Sequence, residues 1–420
     1  PRKRCPFWLL VVGALHDLAS CNRFHDIDRA GHPLASVRSR AKGPTMRTAT
    51  LQDVARLAGV STATASRVLS GHPATSVDAR TRVAEAATEL GFHPNAQARS
   101  LRKARTESIG VVVSDILNPF FAEIAHMAEQ TAREAGLTIM LCNANESTEQ
   151  QDRYIDLLLA HRADGIVMAP QGDGSGSLRD VLKLGVPLVF VDRTVDGLDI
   201  PSITSDNFGG ITQAVEHLVG LGHHRIGFIA GPQATSTGRD RLVAFRDAVE
   251  KHDADQDMAL IYEGDFRVSS GVAGARHLLE LACPPTALLA ADSLMTLGAL
   301  HVCQDRAISI PDDMSIVGYD DIETFRLLDP PITVISHDPA RTGELTVELL
   351  TKLLDGEKVQ SIVLDAQLVV RGSTGPASLR HDVPAPATLE KNATPNVRDL
   401  PAPHLLVHAV HVDDVARLLS

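Results

Sequence analysis

The stretch TLQDVARLAGVSTATASRVLSG, residues 50–71, holds two helical patterns separated by one glycine. In the first, Leu51, Val54, Ala55 and Ala58 recur at helical spacing, with Thr50 at the N-cap position and Asp53 near the positive end of the helix. Gly59 ends that helix. Val60 is then left to plug the core and Ser61 to cap a second helix over 62–69, buried through Ala65, Val68 and Leu69. Its opposite face carries Thr62, Ala63, Ser66 and Arg67, so little bulk separates the backbone from whatever approaches. A third helix is expected from the Ser76 cap to Gly91, buried through Val83, Ala87 and Leu90. Two helices joined by a tight glycine turn, the second short and thin-faced, form a helix-turn-helix unit that can lay its second helix in the major groove. Arg67 can there donate two hydrogen bonds to guanine or bind phosphate. A helical hairpin with no DNA partner shows the same pattern.

Charge helps to separate those readings. The whole chain of 420 residues is formally −12, but residues 46–105 hold nine Lys/Arg against four Asp/Glu, and residues 106–420 hold 23 against 45. A small basic module is joined to a large acidic one, and phosphate contact follows the local field rather than the total. PNAQARSLRKART, residues 94–106, opens with Pro94-Asn95 and carries Arg99, Arg102, Lys103 and Arg105 around one apolar anchor, Leu101. A helix this short is marginal alone, which suits folding on contact. A lone leucine among cations suits a wedge between base steps in the minor groove, and a charged linker is the plainer alternative.

From residue 108 onward strands alternate with helices: SIGVVVS (108–114), TIMLCN (138–143), GIVMA (165–169), PLVFVD (187–192), RIGFIA (225–230), ALIYE (259–263), TALLAA (286–291) and SIVGYD (315–320), with crossover helices such as 120–135, 239–251 and 270–281. Continuous apolar strands with helical crossovers imply parallel sheets covered on both faces. The series divides into two similar halves, so two doubly wound lobes should place the loops at the carboxyl ends of their strands around one cleft. Asp115, Asn118, Phe120 and Phe121 follow the first strand, Asp192 and Arg193 the fourth, and Asp320 and Asp321 the last. Arg239 and Arg241 open a helix near that cleft, and Phe266 follows EGD. Carboxylates and guanidinium groups facing an aromatic platform suit a polyhydroxylated ligand. Each residue also has a structural alternative: Asp320 and Asp321 as helix caps, Arg193 and Arg239 as partners of acids, the phenylalanines as core.

TLQDVARLAGVSTATASRVLSG, ELGFHPNAQARSLR and IGVVVSDILNPFFAEI together resemble the lactose repressor/galactose repressor family of bacterial regulators, over about Thr48 to Gly375. The resemblance implies a multidomain protein: an all-α helix-turn-helix DNA-binding headpiece (46–93), a hinge helix or linker (94–106), and an α/β, periplasmic-binding-protein-like, two-lobed effector-binding and dimerisation domain with parallel sheets (107–375). It implies a homodimer on a pseudo-palindromic double-stranded DNA operator, with a sugar or nucleobase-like small molecule controlling affinity. Thr62, Ala63 and Arg67 then fall on base-reading positions, with Ser66 on the same face, Leu101 on the intercalating position, and Asn95 and Arg99 in the hinge beside it. Phe120, Phe121, Asp192, Arg241, Phe266 and Asp320 fall on effector positions, whereas Ala291 departs from the Asn of many sugar-binding members. A sugar-binding or sensing protein without DNA binding is the alternative function.

Other classes find less support. There is no GxSxG or HExxH, and GDGSGS (172–177) lacks the GK[ST] of a phosphate loop, so neither an enzyme nor a cofactor is expected. His223-His224 lies between a helix end and a strand, a good place for a C-terminal cap. Five scattered cysteines (Cys5, Cys21, Cys142, Cys283, Cys303) never form CxxC, which points to neither zinc nor a disulfide framework and favours a reducing compartment. No run approaches the ~18 apolar residues of a membrane span. Residues 1–45 lack Met and read as upstream translation or a disordered extension, with Met46 just ahead of the first pattern. Their basic start, apolar Phe7–Leu15 and LASC at 18–21 also fit a lipoprotein signal, but His16 and Asp17 interrupt it and export would idle a DNA-type module. A cytoplasmic, nucleoid-associated protein with no membrane partner is therefore expected. Residues 376–420 read as a Pro-rich flexible extension; His404, His408 and His411 in its tail could share a helix face, and a plain amphipathic tail is preferred to a metal site.

Overall fold

The computed structural model describes residues 49–70, 73–92, 105–172, 174 and 176–377. The chain divides into two compact units, Pro1–Pro94 and Asn95–Ser420, each taken by itself.

In the first unit α1 is Leu51–Leu57, α2 Thr62–Leu69 and α3 Val77–Glu89. Asp53 does more than complement the helix dipole: the Thr50 side chain accepts from Asp53 N while the Asp53 carboxylate accepts from Thr50 N at 3.0 Å, a reciprocal capping box. Gly59 turns the chain at φ +64°, the left-handed region that favours glycine, and Val60 N closes back on Ala55 O. Ser61 and Ser76 cap α2 and α3 by accepting from Thr64 N and Ala79 N. The core is Val54, Ala55, Ala58, Ala65, Val83 and Ala86, with Leu51, Val60, Val68, Leu69, Ala87 and Leu90 packed around it. The expected inner face of α3 is thus shared: Ala87 and Leu90 lie at the margin, while Ala79 and Ala86 are the buried alanines.

The second unit has two lobes. The first is a parallel sheet in the order β11 (Ile362–Leu364), β5 (Ser202–Ser205), β4 (Leu188–Val191), β3 (Gly165–Met168), β1 (Ser108–Val113), β2 (Thr138–Asn143). The second is β12 (Gln367–Val369), β10 (Thr333–Ser336), β9 (Ser315–Tyr319), β8 (Ala287–Ala290), β6 (Ile226–Ala230), β7 (Ile261–Glu263), parallel but for β12, which runs against β10. Buried on both faces, β1, β3, β4, β6, β8 and β9 need the near-continuous apolar runs they have. Around the sheets lie α4 (Pro119–Glu134), α5 (Thr148–Ala160), α6 (Gly176–Leu184), α7 (Asn207–Gly220), α8 (Ser236–Lys251), α9 (Val268–Leu279), α10 (Ser293–Asp305), α11 (Glu323–Leu327) and α12 (Pro339–Leu354). Gly271 and Gly298 let α9 and α10 approach until a β-carbon on either would strike the other's backbone.

The chain crosses between the lobes three times: from β5 into α7, from β10 into α12, and from β11 into β12. In each lobe the order reverses beside the first strand, between β1 and β3 and between β6 and β8. That reversal leaves a crevice at the carboxyl ends of the strands, where ligands of open α/β sheets bind. Among the described residues no helix is long and apolar enough to cross a membrane. His223, expected as a helix cap, closes α7 through its backbone, His223 N donating to Leu218 O at 3.0 Å, while its ring is buried inside the second lobe, with Nδ1 at 2.8 Å from Thr286 Oγ1 and Nε2 at 2.9 Å from Ser315 Oγ.

Candidate functional site

In the first unit the outward face of α2 is as thin as its sequence implies. Thr62, Ala63 and Arg67 are exposed, Ser66 is half-buried and Ala65 is wholly buried behind them. Ser61 fixes the start of the helix, which leaves the exposed side chains at its first turns free of capping duty. Asn95, Arg99 and Leu101 lie outside the described residues.

In the second unit, Phe120, Phe121, Asp192, Arg241, Phe266 and Asp320 line one small pocket between the lobes. They arrive there for local reasons. Asn118 caps α4 by accepting from Phe120 N, which aims both rings of the first turn into the crevice, 5.0 Å apart and edge to face. Asp192, Phe266 and Asp320 all have left-handed backbones, φ +64°, +61° and +64°. For non-glycine residues such conformations are strained, and they recur where a side chain must be aimed. Gly231 leaves the space that the Phe266 ring occupies.

The cavity also includes residues that sequence reading left without a role. Glu146, just after β2, meets Arg193 in a two-pronged pair of 2.7 and 2.8 Å, and Arg193 Nη1 also donates to Gln171 Oε1 at 2.8 Å. Arg193 is 2% exposed and lies 5.1 Å over the Phe266 ring. Thr237 lines the wall with a buried hydroxyl that has no hydrogen-bond partner, as does Arg193 Nε. Glu146 stands at a strand end like the acids that were singled out; Thr237, inside a helical turn, carried no such signal. Arg239, expected near the cleft, turns to Asp196 at 2.8 Å, and Asp321 turns to Arg371 at 2.7 Å and Arg326 at 2.9 Å. These three acid–base contacts take up groups that the alternation of strands alone could not sort.

Arg241 donates through Nε to Asn207 Oδ1 at 2.8 Å and through Nη1 to the Ala291 carbonyl at 2.7 Å, and it lies 3.7 Å over the Tyr319 ring. Ala291, which lacks a polar side chain, thus serves through its backbone. Asp320 accepts from His337 Nε2 at 2.7 Å, and His337 Nδ1 meets Ser205 Oγ at 2.8 Å. Burial raises the pKa of Asp320, but the His337 hydrogen bond and the charges of His337 and Arg241 outweigh it, so the carboxyl sits below its ordinary range. Burial raises Asp192 in spite of Arg241 and Arg193. Asp292, buried and beside Asp320, is pushed up to about 7 although it accepts from Met295 N at 2.7 Å. Tyr319 is pushed up by burial to about 12.

The lobes also touch directly at the rim. Asn118 Nδ2 donates to Asp292 Oδ2 at 3.0 Å, Ser293 Oγ to Asn118 Oδ1 at 3.2 Å, Thr194 N to Ser236 Oγ at 2.9 Å, and Arg267 Nη2 to Asn145 O at 2.9 Å. The arrangement is a closed, polar cleft with an aromatic wall, suited to bind and orient a small molecule. Among the described residues no group of His, Cys, Asp or Glu could hold a metal ion.

Residues 50–95 match the family model described as bacterial regulatory proteins, lacI family, and residues 215–374 match the periplasmic binding protein-like domain. The HTH-type transcriptional repressor CytR of Escherichia coli (strain K12) is 33% identical over 329 residues, 78% of this chain and 96% of that protein. A lac repressor dimer bound to operator and the anti-inducer ONPF is similar in structure, with a TM-score of 0.71, 30% identity, and coverage of 78% of this chain and 100% of the other. A complex of the transcriptional regulator CelR with cellobiose has a TM-score of 0.60 and 33% identity, covering 77% of this chain and 99% of the other. On these matches, which span both the capped helical unit and the two-lobed cleft, the chain belongs to the lacI family of bacterial regulatory proteins.

Proposed function

We propose that the protein is an effector-controlled repressor that binds a pseudo-palindromic operator as a homodimer in the cytoplasm. The observation that carries this is the exposed α2 face, thin and framed by a serine cap, in the same chain as a closed two-lobed cleft. Thr62, Ala63, Ser66 and Arg67 read base edges or phosphates in the major groove. Asn95, Arg99 and Leu101 follow into the minor groove, the leucine as a wedge. Residues 46–93 act as headpiece, 94–106 as hinge and 107–375 as effector and dimer module. The effector is sugar-like and contacts Phe120, Phe121, Asp192, Arg241, Phe266 and Asp320. CelR, which is similar in fold, forms a complex with the sugar cellobiose, and that supports a sugar-like effector.

Effector binding and operator binding are linked by one reciprocal coupling energy, typically ~1–3 kcal/mol. The lobes supply its physical basis: a ligand held between Asp192 and Asp320 touches both of them and changes the angle at the three crossings. The test is selection of bound DNA from a random pool by the full chain, then gel-shift titration at two salt concentrations. A palindromic site whose affinity falls steeply with salt, and falls again on Arg67→Ala, is the expected result. Enrichment of no sequence, with unchanged weak binding in Arg67→Ala, would refute it.

A further inference from the structure

One of the rim contacts places a titratable group on the seam between the lobes. Asp292 caps α10, accepting from Met295 N at 2.7 Å through Oδ1, and its Oδ2 accepts from Asn118 Nδ2 of the other lobe at 3.0 Å. Asn118 is itself oriented: its Oδ1 accepts from Phe120 N at 3.0 Å and from Ser293 Oγ at 3.2 Å, which turns Nδ2 toward Asp292. With the lobes together Asp292 is 3% exposed. Drawing them apart removes Asn118 and returns the carboxyl to water.

The charged groups around the pocket do not neutralise Asp292. In its own lobe Asp320 lies beside it, accepting from Ser293 N at 3.3 Å, and Arg241 is taken up by Asn207 and the Ala291 carbonyl. His337, on the second crossing, is bonded to Asp320. From the first lobe Asp192 and Glu146 add two more carboxyl groups, and Arg193 is held by Glu146 and Gln171. Asp265 and Arg267, in the loop before α9, pair with each other at 3.7 Å. Among the described residues no cation forms an ion pair with Asp292. Closing the lobes therefore strips water from a carboxyl next to a second carboxylate, and repulsion between like charges grows as the effective dielectric falls. Both effects favour the neutral acid in the closed form. In keeping with that, burial first and Asp320 second push the Asp292 carboxyl up to about 7, against the backbone hydrogen bonds of Met295 and Leu294 and the charge of Arg241.

We propose that the lobes close with uptake of one proton at Asp292, so that the seam is a pH-sensitive latch, shut when this carboxyl is neutral and loosened when it is charged. The proton comes from solvent and returns to it on opening. A carboxyl that is ordinary in the hydrated, open form, at 3.8, and raised to about 7 in the closed form gives closure its full advantage below about pH 4 and loses it as pH rises through 7. Between pH 6 and pH 8 the closure constant then falls about tenfold. Anything that binds only the closed form inherits the same dependence, with the proton as its co-ligand.

The Thr194 amide is the reporter, because its hydrogen bond to Ser236 Oγ at 2.9 Å exists only while the lobes touch. The experiment is amide hydrogen exchange on the full chain, without ligand or DNA, resolved to Thr194 at pH 6 and pH 8 and corrected for the intrinsic exchange rate. Its outcome is thus independent of the repressor reading. Protection at Thr194 should fall about tenfold between the two pH values while the amides of β1 and β6, bonded within their own sheets, hold theirs. In Asp292→Asn the fall should shrink below about twofold. The readout is the pH dependence and not the level, since the new amide turns a donor toward Asn118. Asp320→Asn removes the like charge beside Asp292, should reduce the fall to about fivefold or less, and serves if the first variant does not fold. Asp192→Asn should keep most of the fall. No fall in the native chain, an equal fall in Asp292→Asn or in Asp320→Asn, or its loss in Asp192→Asn overturns the inference.

Discussion

Arg193 and Glu146 form a buried, two-pronged ion pair at the cleft, and its removal in halves should be far more damaging than its removal whole. Glu146→Leu leaves a guanidinium that is 2% exposed without its two-pronged partner. Breaking such a pair one-sidedly generally costs ~3–5 kcal/mol. Asp192 Oδ2 at 3.6 Å and Gln171 Oε1 at 2.8 Å stay beside Arg193, which argues for the lower end, about 3 kcal/mol. Arg193→Met strands the buried carboxylate in turn, at a similar cost. The combination Glu146→Leu with Arg193→Met places apolar groups of comparable bulk together, and exchanges of this kind are often neutral or stabilising. The two singles should therefore fail to add, with a coupling of about 3 kcal/mol or more in a double-mutant cycle. Urea unfolding followed by circular dichroism is the assay, because the sole tryptophan, Trp8, lies outside the described residues. Single costs that sum to the double's within ~0.5 kcal/mol, the usual tolerance for independent sites, would refute the account of a buried, mutually dependent pair.

Two further outcomes follow from individual contacts. Ser61→Ala removes the acceptor for Thr64 N and should cost ~1 kcal/mol, read as a lower melting temperature of the first helical transition; an unchanged melt would show that the cap contributes nothing there. Asp292→Asn should become more stabilising, relative to the native chain, as pH rises. The carboxyl goes from 3.8 unfolded to about 7 folded, so the folded chain holds the proton more tightly; stability from this group is intact below about pH 4 and is lost as pH climbs through 7. Melting temperatures at pH 5 and pH 8 that shift equally in the variant would contradict this.

Much of this architecture was legible in the sequence because its signals are local. The caps Thr50, Ser61 and Ser76 and the turn glycine Gly59 act within a few residues, and the buried strands are too apolar to be mistaken. The missed strands explain the limits. Ser202–Ser205 and Thr333–Ser336 carry serine and threonine, and Ile362–Leu364 and Gln367–Val369 are three residues long. Those elements lie at or next to the crossings, where they are specified by pairing with distant strands rather than by their own pattern. The six cleft positions were visible because they follow strand ends or open helices. Glu146 and His337 were passed over because an acid after a strand and a histidine before a proline-led helix have many uses, and only the fold brings them to Arg193 and Asp320.

His337 connects the cleft to the crossings, and that connection can be tested without any ligand. It lies between β10 and α12, on the second crossing; Ser205, which meets its Nδ1, ends β5 on the first; Asp320, bonded to its Nε2, faces the cavity. Its ring stacks on Phe120 at 4.5 Å, so the imidazole is held on the side of the first lobe as well. A ligand that draws on Asp320 therefore competes for the same carboxylate that fixes two of the three connections. His337→Phe keeps a ring against Phe120 and removes both hydrogen bonds. Amide hydrogen exchange should then quicken in 203–207 and 334–338 while the middle of β1 and β6 holds its protection, since local opening reports the stability of each segment separately. Equal exchange in the crossings of both proteins would mean that packing alone sets the hinge and that Asp320 is not wired to it.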